Sequence, residues 1–464
     1  MLTRASLSKP ISRALSRSLH GPGESFDPLS LSPILAYEAS TSMLAAGGGA
    51  AANLDLVPTF ANRVSGGADA AQSTASNQPI AHTPVGGGHL HLPAVTGNYA
   101  SLAAGVNLGT QTEILIGVKV RTWRPSIDQS LFDQYPASIM VWQRTTGKFQ
   151  VYYGTSANFQ TSSVIPTDAP LETVIKIVRD GTDASTEVFY KDHDGSFTSL
   201  GSTTLGAVGA APTGSGQELS IGRWRSGNQK YADCSYQTLK VTADSTVTLD
   251  LDMADGDHKA SSFTCASGQT VTVNKGSTTR DAATIVRRPF LRFDGADNFM
   301  SGLFNQTLSS GGYMFAAFSV NYGSETYARV FAVNSTDPDE PDYNNPRSLA
   351  FSLRQTTTDD VGWYYNNAFR DGHTGTYDKD RGAVLHELKA IDGEQVSKVN
   401  NADAKTKSLD LSGLSSEKFT IGGRYDGNGN ASLDLEALYL FDHTLTDDEA
   451  TQVRDYLNAK SSIY

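Results

Sequence analysis

Leu90-His-Leu92, leading to Asn98-Tyr99, stands again about 200 residues later as Leu291-Arg-Phe293 leading to Asn298-Phe299. Ile116-Gly-Val-Lys-Val120 returns at the same distance as Ala316-Ala-Phe-Ser-Val320, and Leu219-Ser-Ile-Gly-Arg223 as Phe419-Thr-Ile-Gly-Gly-Arg424. Three landmarks in one order at one offset mark a duplicated domain, since a solenoid would repeat every 20–50 residues or so. Stretches such as 112–120 and 148–153 alternate with period two, as strands with one buried and one wet face do, and Asp-Gly at 180–181, 194–195 and 392–393 marks turns. The sequence therefore predicts an all-β chain of two tandem antiparallel sandwiches, 34–244 and 245–464. Ile34-Leu-Ala-Tyr-Glu38 and Leu249-Asp-Leu-Asp-Met253 each open one unit. A closing helix is predicted over about 446–460: Thr446 and Glu449 form a capping box, and Ala450, Val453, Tyr456 and Leu457 line one face.

The 464 residues suffice for two or three domains, and 19 Tyr and 19 Phe give ample apolar surface to bury. No stretch approaches the run of about 20 apolar residues that a spanning helix needs, so a soluble chain is expected. Cys234 and Cys265 form no C-x-x-C pair and read as buried thiols. Against 37 basic side chains stand 49 acidic ones, a net charge of −12, which argues against nucleic acid as a partner. The basic exception is the N-terminus, where Arg4, Lys9, Arg13 and Arg17 occur with no acid before Glu24. Residues 1–33, broken by Pro10, Pro22, Pro28 and Pro33, read as an extended arm that orders only against a partner; the composition also matches an organellar transit peptide.

The run from Phe419 to Gly427, then Leu433-Asp-Leu-Glu-Ala-Leu-Tyr-Leu-Phe-Asp442 and the helix signals after His443, resembles the end of concanavalin-like, laminin-G-type lectin domains. Leu291-Arg-Phe-Asp-Gly-Ala-Asp-Asn-Phe299 is similar to that family's early F-D-G-x-D-D-Y strand and turn. The first unit has Pro93 and Ala94 where Asp294 and Gly295 stand, so its membership rests mainly on the repeat. The resemblance implies jelly-roll sandwiches. The arm, with Leu2-Thr-Arg4, Ile11-Ser-Arg13 and Leu15-Ser-Arg17, and the segment 264–274 resemble parts of minor structural proteins of tailed bacteriophages. That resemblance implies a virion surface protein, either capsid decoration or tail appendage. Arg4, Lys9, Arg13, Leu15 and Arg17 would dock it on other virion proteins, and it would assemble as a homo-oligomer.

Glycoside hydrolases built on such sandwiches set two or three carboxylates on one strand face. Ser432, Asp434 and Glu436 alternate onto one face, but Ser432 cannot serve as nucleophile, and the acids read as a wet strand face. No nucleophile elbow, phosphate loop or His-Glu-x-x-His helix occurs, so no enzyme and no catalytic residue is predicted. Calcium is the cation whose ligands the sequence offers, though no cofactor is required. Asp337, Asp339 and Asp342 gather on one Pro-stiffened loop; Asp426, Asn428 and Asn430 hold alternate positions of another, which lacks the calcium-loop glycine and glutamate. His89 and His91 alternate on one strand as a surface or interface pair with no third ligand nearby. For a glycan, Trp363, Tyr364, Asn366 and Asn367 combine aromatic and amide side chains, with Trp363 and Tyr365 also readable as core. Trp123, Trp142 and Trp224 read as packing residues. Structure and display lead this reading; host-glycan recognition is its alternative and glycan depolymerisation the weakest.

Overall fold

The computed structural model describes residues 26–85, 87–106, 108, 111–122, 128–134, 139–154, 157–164, 170–180, 183–192, 196–207, 217–224, 229–276, 283–304, 311–320, 328–334, 349–354, 360–365, 368–374, 384–391, 393–400, 402–408, 417–424, 429–461 and 463. They form two antiparallel jelly-roll sandwiches and a C-terminal helix, Asp447–Ser461.

In one sandwich, a sheet runs in the order Thr198–Ala207, Asp183–Asp192, Pro170–Asp180, Glu113–Thr122, Cys234–Ala243, His89–Leu92 and Thr284–Val286, with Thr246–Asp252 on the remaining length of Cys234–Ala243. The other sandwich repeats this order as Lys405–Lys407, Glu394–Val399, Val384–Ile391, Gly311–Val320, Ser432–Phe441, Phe290–Asp294 and Ile80–His82, with Leu35–Glu38 on the rest of Ser432–Phe441. The facing sheets match as well. Ala157–Gln160, Phe149–Tyr153, Ile139–Gln143, Gln129–Gln134, Leu219–Ile221, Tyr99–Leu102, Thr270–Asn274 and Ser262–Thr264 form the first. Ala368–Thr374, Asp360–Tyr365, Leu349–Arg354, Ala328–Asn334, Lys418–Ile421, Met300–Leu303, Ala70–Ala71, Thr59–Phe60 and Met43–Leu44 form the second.

This pairing departs from the division at 244/245. The segment 246–286 completes the sandwich that precedes it, while its counterpart, 35–82, passes over that sandwich and completes the one built from 290–441. The first sandwich is thus an insertion into a hairpin of the second: His82 pairs with Phe290 on one side of the crossing, and His89 with Val286 on the other. Each sandwich has its own core, one holding Leu90, Ile116, Phe149 and Val271, the other Tyr37, Phe60, Phe293 and Leu433. Residues 26–33, assigned to the arm by sequence, also belong here: Asp27 caps the short helix Pro28–Leu31, and Leu29 and Leu31 pack beside the C-terminal helix.

The Ile-Gly-Arg landmark of the repeat has a steric cause. Gly222 and Gly422 have φ of +84° and +80°, and a Cβ on either would overlap the Leu92 or Phe293 side chain of the facing sheet. The predicted capping box is present, with Glu449 N donating to Thr446 Oγ1 at 3.3 Å and Thr446 N to Glu449 Oε2 at 2.8 Å. Ala450, Val453 and Leu457 are buried on the second sandwich.

All ten residues of Ser432–Phe441 are buried. Leu433, Leu435, Leu438 and Leu440 face the core, while outside it Ala437, Tyr439 and Phe441 lie under the C-terminal helix. Asp434 and Glu436 lie under the first sandwich instead. The expected wet face is a covered one.

Candidate functional site

The most heavily built polar site is the junction between the sandwiches. Asp434, fully buried, accepts from Arg292 Nε at 2.8 Å and Nη2 at 3.0 Å, both on the second sandwich. It also lies 2.7 Å from Lys259 Nζ of the first. Lys259 donates further to Ser319 Oγ and sits over the Phe290 ring at 4.6 Å. Burial alone would raise the Asp434 pKa, but Arg292 and Lys259 outweigh it and hold the carboxyl well below the usual range. Glu436 stands 3.6 Å from His258 Nε2 and 3.4 Å from Arg288 Nε. The two carboxylates that could suggest hydrolysis are thereby buried in ion pairs.

Histidines crowd the same crossing. The His82 ring stacks on Phe290 at 4.6 Å and meets His91 edge-on at 4.7 Å. His89 Nδ1 accepts from Val85 N at 3.1 Å. His89 and His91 are therefore an interface pair. Among the described residues, no group of three or more His, Cys, Asp or Glu side chains could hold a metal ion.

A second polar cluster fixes the chain where the arm joins. Glu38 accepts from Arg63 Nη1 and Lys460 Nζ at 2.6 Å each, from Tyr456 Oη at 2.7 Å, and from Tyr439 Oη. Arg63 Nη2 reaches Asp27 at 2.9 Å, and Phe26 meets Tyr456 edge-on. A cleft of about 650 Å³ opens beside it, lined in part by Leu29, Ile34, Arg63, Phe304 and His443.

A third cluster lies on the outer face of the first sandwich. Trp142 packs against Tyr152 at 4.8 Å and Trp224 at 5.6 Å, with Lys230 Nζ 3.8 Å above its ring. Asp128 pairs with both Lys230 and Arg144.

Of the residues singled out from sequence, Arg4, Lys9, Arg13, Leu15 and Arg17 lie outside the described residues, as do Asn366, Asn367, Asp337, Asp339, Asp342, Asp426 and Asn428. Trp363 and Tyr364 are on the strand Asp360–Tyr365, in register with Phe351 and Ala350. Asn430 is buried and donates through Nδ2 to Ala296 O at 2.7 Å, joining its loop to the turn after Asp294. Sequence reasoning missed the junction cations, because nothing local distinguishes Lys259 or Arg292 from surface charges. It took Trp142 and Trp224 singly as packing residues, although both fall near turns.

No family model and no curated protein matches the chain. Among solved structures it is similar to domains LG4–5 of the mouse laminin α1 chain, at 11% identity and a TM-score of 0.29, over 76% of this chain and 88% of that one. The LG1–3 region of the laminin α2 chain gives 11% and 0.29 over 77% and 62%. The exoplasmic domain of VIP36, in a form bound to Ca²⁺ and Man3GlcNAc, gives 14% and 0.24 over 35% and 82%.

Proposed function

We propose that the chain is a non-enzymatic surface protein of a tailed-phage particle, a capsid decoration or tail appendage, docked through its N-terminal arm and displaying two lectin-like sandwiches. The observation that carries this reading is the fixed exit of the arm. Residue 26 leaves from the closing helix, Asp27 is ion-paired to Arg63, and Leu35–Glu38 is paired antiparallel to Leu440–Ala437 of a strand buried on both faces. A load on the arm therefore enters a packed sheet through a buried carboxylate held by Arg63, Lys460, Tyr456 and Tyr439. The arm's four cations suit an acidic docking surface and its leucines an apolar one. With Asp434 and Glu436 spent on the junction, the depolymerase reading loses its nearest carboxylates.

The test is rebinding to particles stripped of this protein, with occupancy read by gel and electron microscopy. The deletion must stop at residue 25, because removing 26–33 would also cut the Asp27–Arg63 pair. Loss of at least about tenfold in affinity, roughly 1.4 kcal/mol, is expected for the chain lacking 1–25. Equal occupancy would move docking to the sandwiches and sink the arm's role.

Carbohydrate recognition is a second reading, favoured by the aromatic cluster at Trp142. Display and glycan binding are compatible in one body, since the arm leaves from one sandwich and the cluster lies on the other.

A further inference from the structure

The geometry points to a binding site for an anionic polysaccharide, one bearing uronic acid carboxylates, on the outer face of the first sandwich around Trp142, Trp224, Tyr152 and Lys230. This deepens the carbohydrate reading and rests on it.

Strand alternation puts the site there. Val141 and Ile139 point into the core, so Trp142 between Val141 and Gln143 faces outward, opposite Gln150 on the neighbouring strand. Tyr152, two residues on, shares that face. Trp224 follows the strand Leu219–Ile221 and reaches the edge of Trp142 across the intervening strand. The result is an aromatic group of three, of which Trp142 is 6% exposed while Trp224 and Tyr152 are half-buried. Asn158 is exposed beside them and within reach of Gln150.

Two observations point beyond packing. The indole Nε1 atoms of Trp142 and Trp224 are both buried, and neither has a hydrogen-bond acceptor among the described residues. Buried donors are ordinarily paired, and sugar hydroxyl and ring oxygens are acceptors of the right kind. Lys230, in turn, is held with φ at +55°, a left-handed conformation costly for a residue with a Cβ. Ser130 N donates to its carbonyl at 2.8 Å, which fixes that backbone, and its ammonium is set over Trp142. Strain of this kind persists where the side chain's position matters.

Charge selects the ligand class. Two cations, Lys230 and Arg144, share one carboxylate, Asp128. A neutral sugar would use the aromatic faces and leave the Lys230 charge idle. A uronate would stack on Trp224 and Tyr152 and place its carboxylate against Lys230.

The test is isothermal titration of the full chain with polygalacturonate, with dextran as the neutral comparison and thermal melting to confirm folding. Polygalacturonate is expected to bind and dextran to bind at least about tenfold more weakly. Trp224→Ala should weaken polygalacturonate at least about tenfold with an unchanged melting temperature. Lys230→Gly, which suits the left-handed backbone, should abolish the preference over dextran. Polygalacturonate binding unaltered by Trp224→Ala would overturn this site while leaving the carbohydrate reading intact. Equal binding of both polymers by the unmodified chain would overturn the anionic ligand class. Binding of neither would overturn the site together with the carbohydrate reading, and leaves the arm's docking to its own test.

Discussion

Asp434→Ala is expected to destabilise the protein by about 3–5 kcal/mol, the largest effect of any single substitution in the junction. The fully buried carboxylate is the shared counter-charge of Arg292 and Lys259, themselves 1% and 6% exposed. Its loss leaves two buried cations facing one another with their common partner gone. Repulsion and desolvation then act together, where the intact triad balances them. Because the triad spans both sandwiches, the failure should be local to their contact. Urea unfolding, cooperative in the unmodified chain, should split into two transitions as each sandwich, with its own core, unfolds alone. A midpoint and cooperativity equal to those of the unmodified protein would contradict the role given to this carboxylate.

Acidification should act on the same contact. Burial drives the His82 pKa well below the ordinary histidine value, with Arg292 and His91 adding to it and Asp434 opposing. Burial, His91 and Arg121 lower His89 to about 3, and burial lowers His258 against the opposing pull of Glu436. Above about pH 6.5 these rings are neutral both folded and unfolded, so they cost nothing. As the pH falls below that value, the unfolded chain binds protons that the folded chain refuses, and stability is lost progressively toward the folded pKa values. At pH 5 His89, with its pKa lowered to about 3, accounts for about 2 kcal/mol, and His82 and His258 add to the loss in the same direction. Thermal melting at pH 7.5 and pH 5 measures this. His82→Phe, which can keep the stack on Phe290, should flatten part of the dependence, since neither nitrogen of His82 has a hydrogen-bond partner among the described residues. Equal melting temperatures at the two pH values would refute the assignment.

The repeat was legible because its landmarks answer to local rules. Gly222 and Gly422 are required where the chain turns with positive φ against Leu92 and Phe293, and Thr446 with Glu449 announces a helix start by its own hydrogen bonds. The equivalence of 34–38 and 249–253 was likewise readable, since Leu35–Glu38 and Thr246–Asp252 occupy corresponding places. Which sheet each joins was not. Two equivalent segments meet two equivalent sheet edges, and alternation satisfies either choice; the selection is made by contacts far away in sequence. The same limit explains Asp434 and Glu436. Period two shows that they share a face but says nothing of what covers it, and here the cover is a sandwich inserted some 200 residues upstream. Trp142 and Trp224 lie 82 residues apart in numbering and meet only through the sheet, so neither suggested the other.

The crossed pairing puts the arm-bearing segment in the sandwich farthest from it in sequence. Protease sites placed in the crossings at 83–88 and 287–289 of the full chain would allow the folded protein to be cut into three. Gel filtration at about pH 5, where the histidine junction is weakened, would then show which pieces stay together. The N-terminal piece is expected to elute with the C-terminal piece, joined by the pairing of Leu35–Glu38 and Ile80–His82, while the middle piece elutes alone. Elution of the N-terminal piece with the middle piece would contradict the fold and, with it, the route by which the arm holds the body.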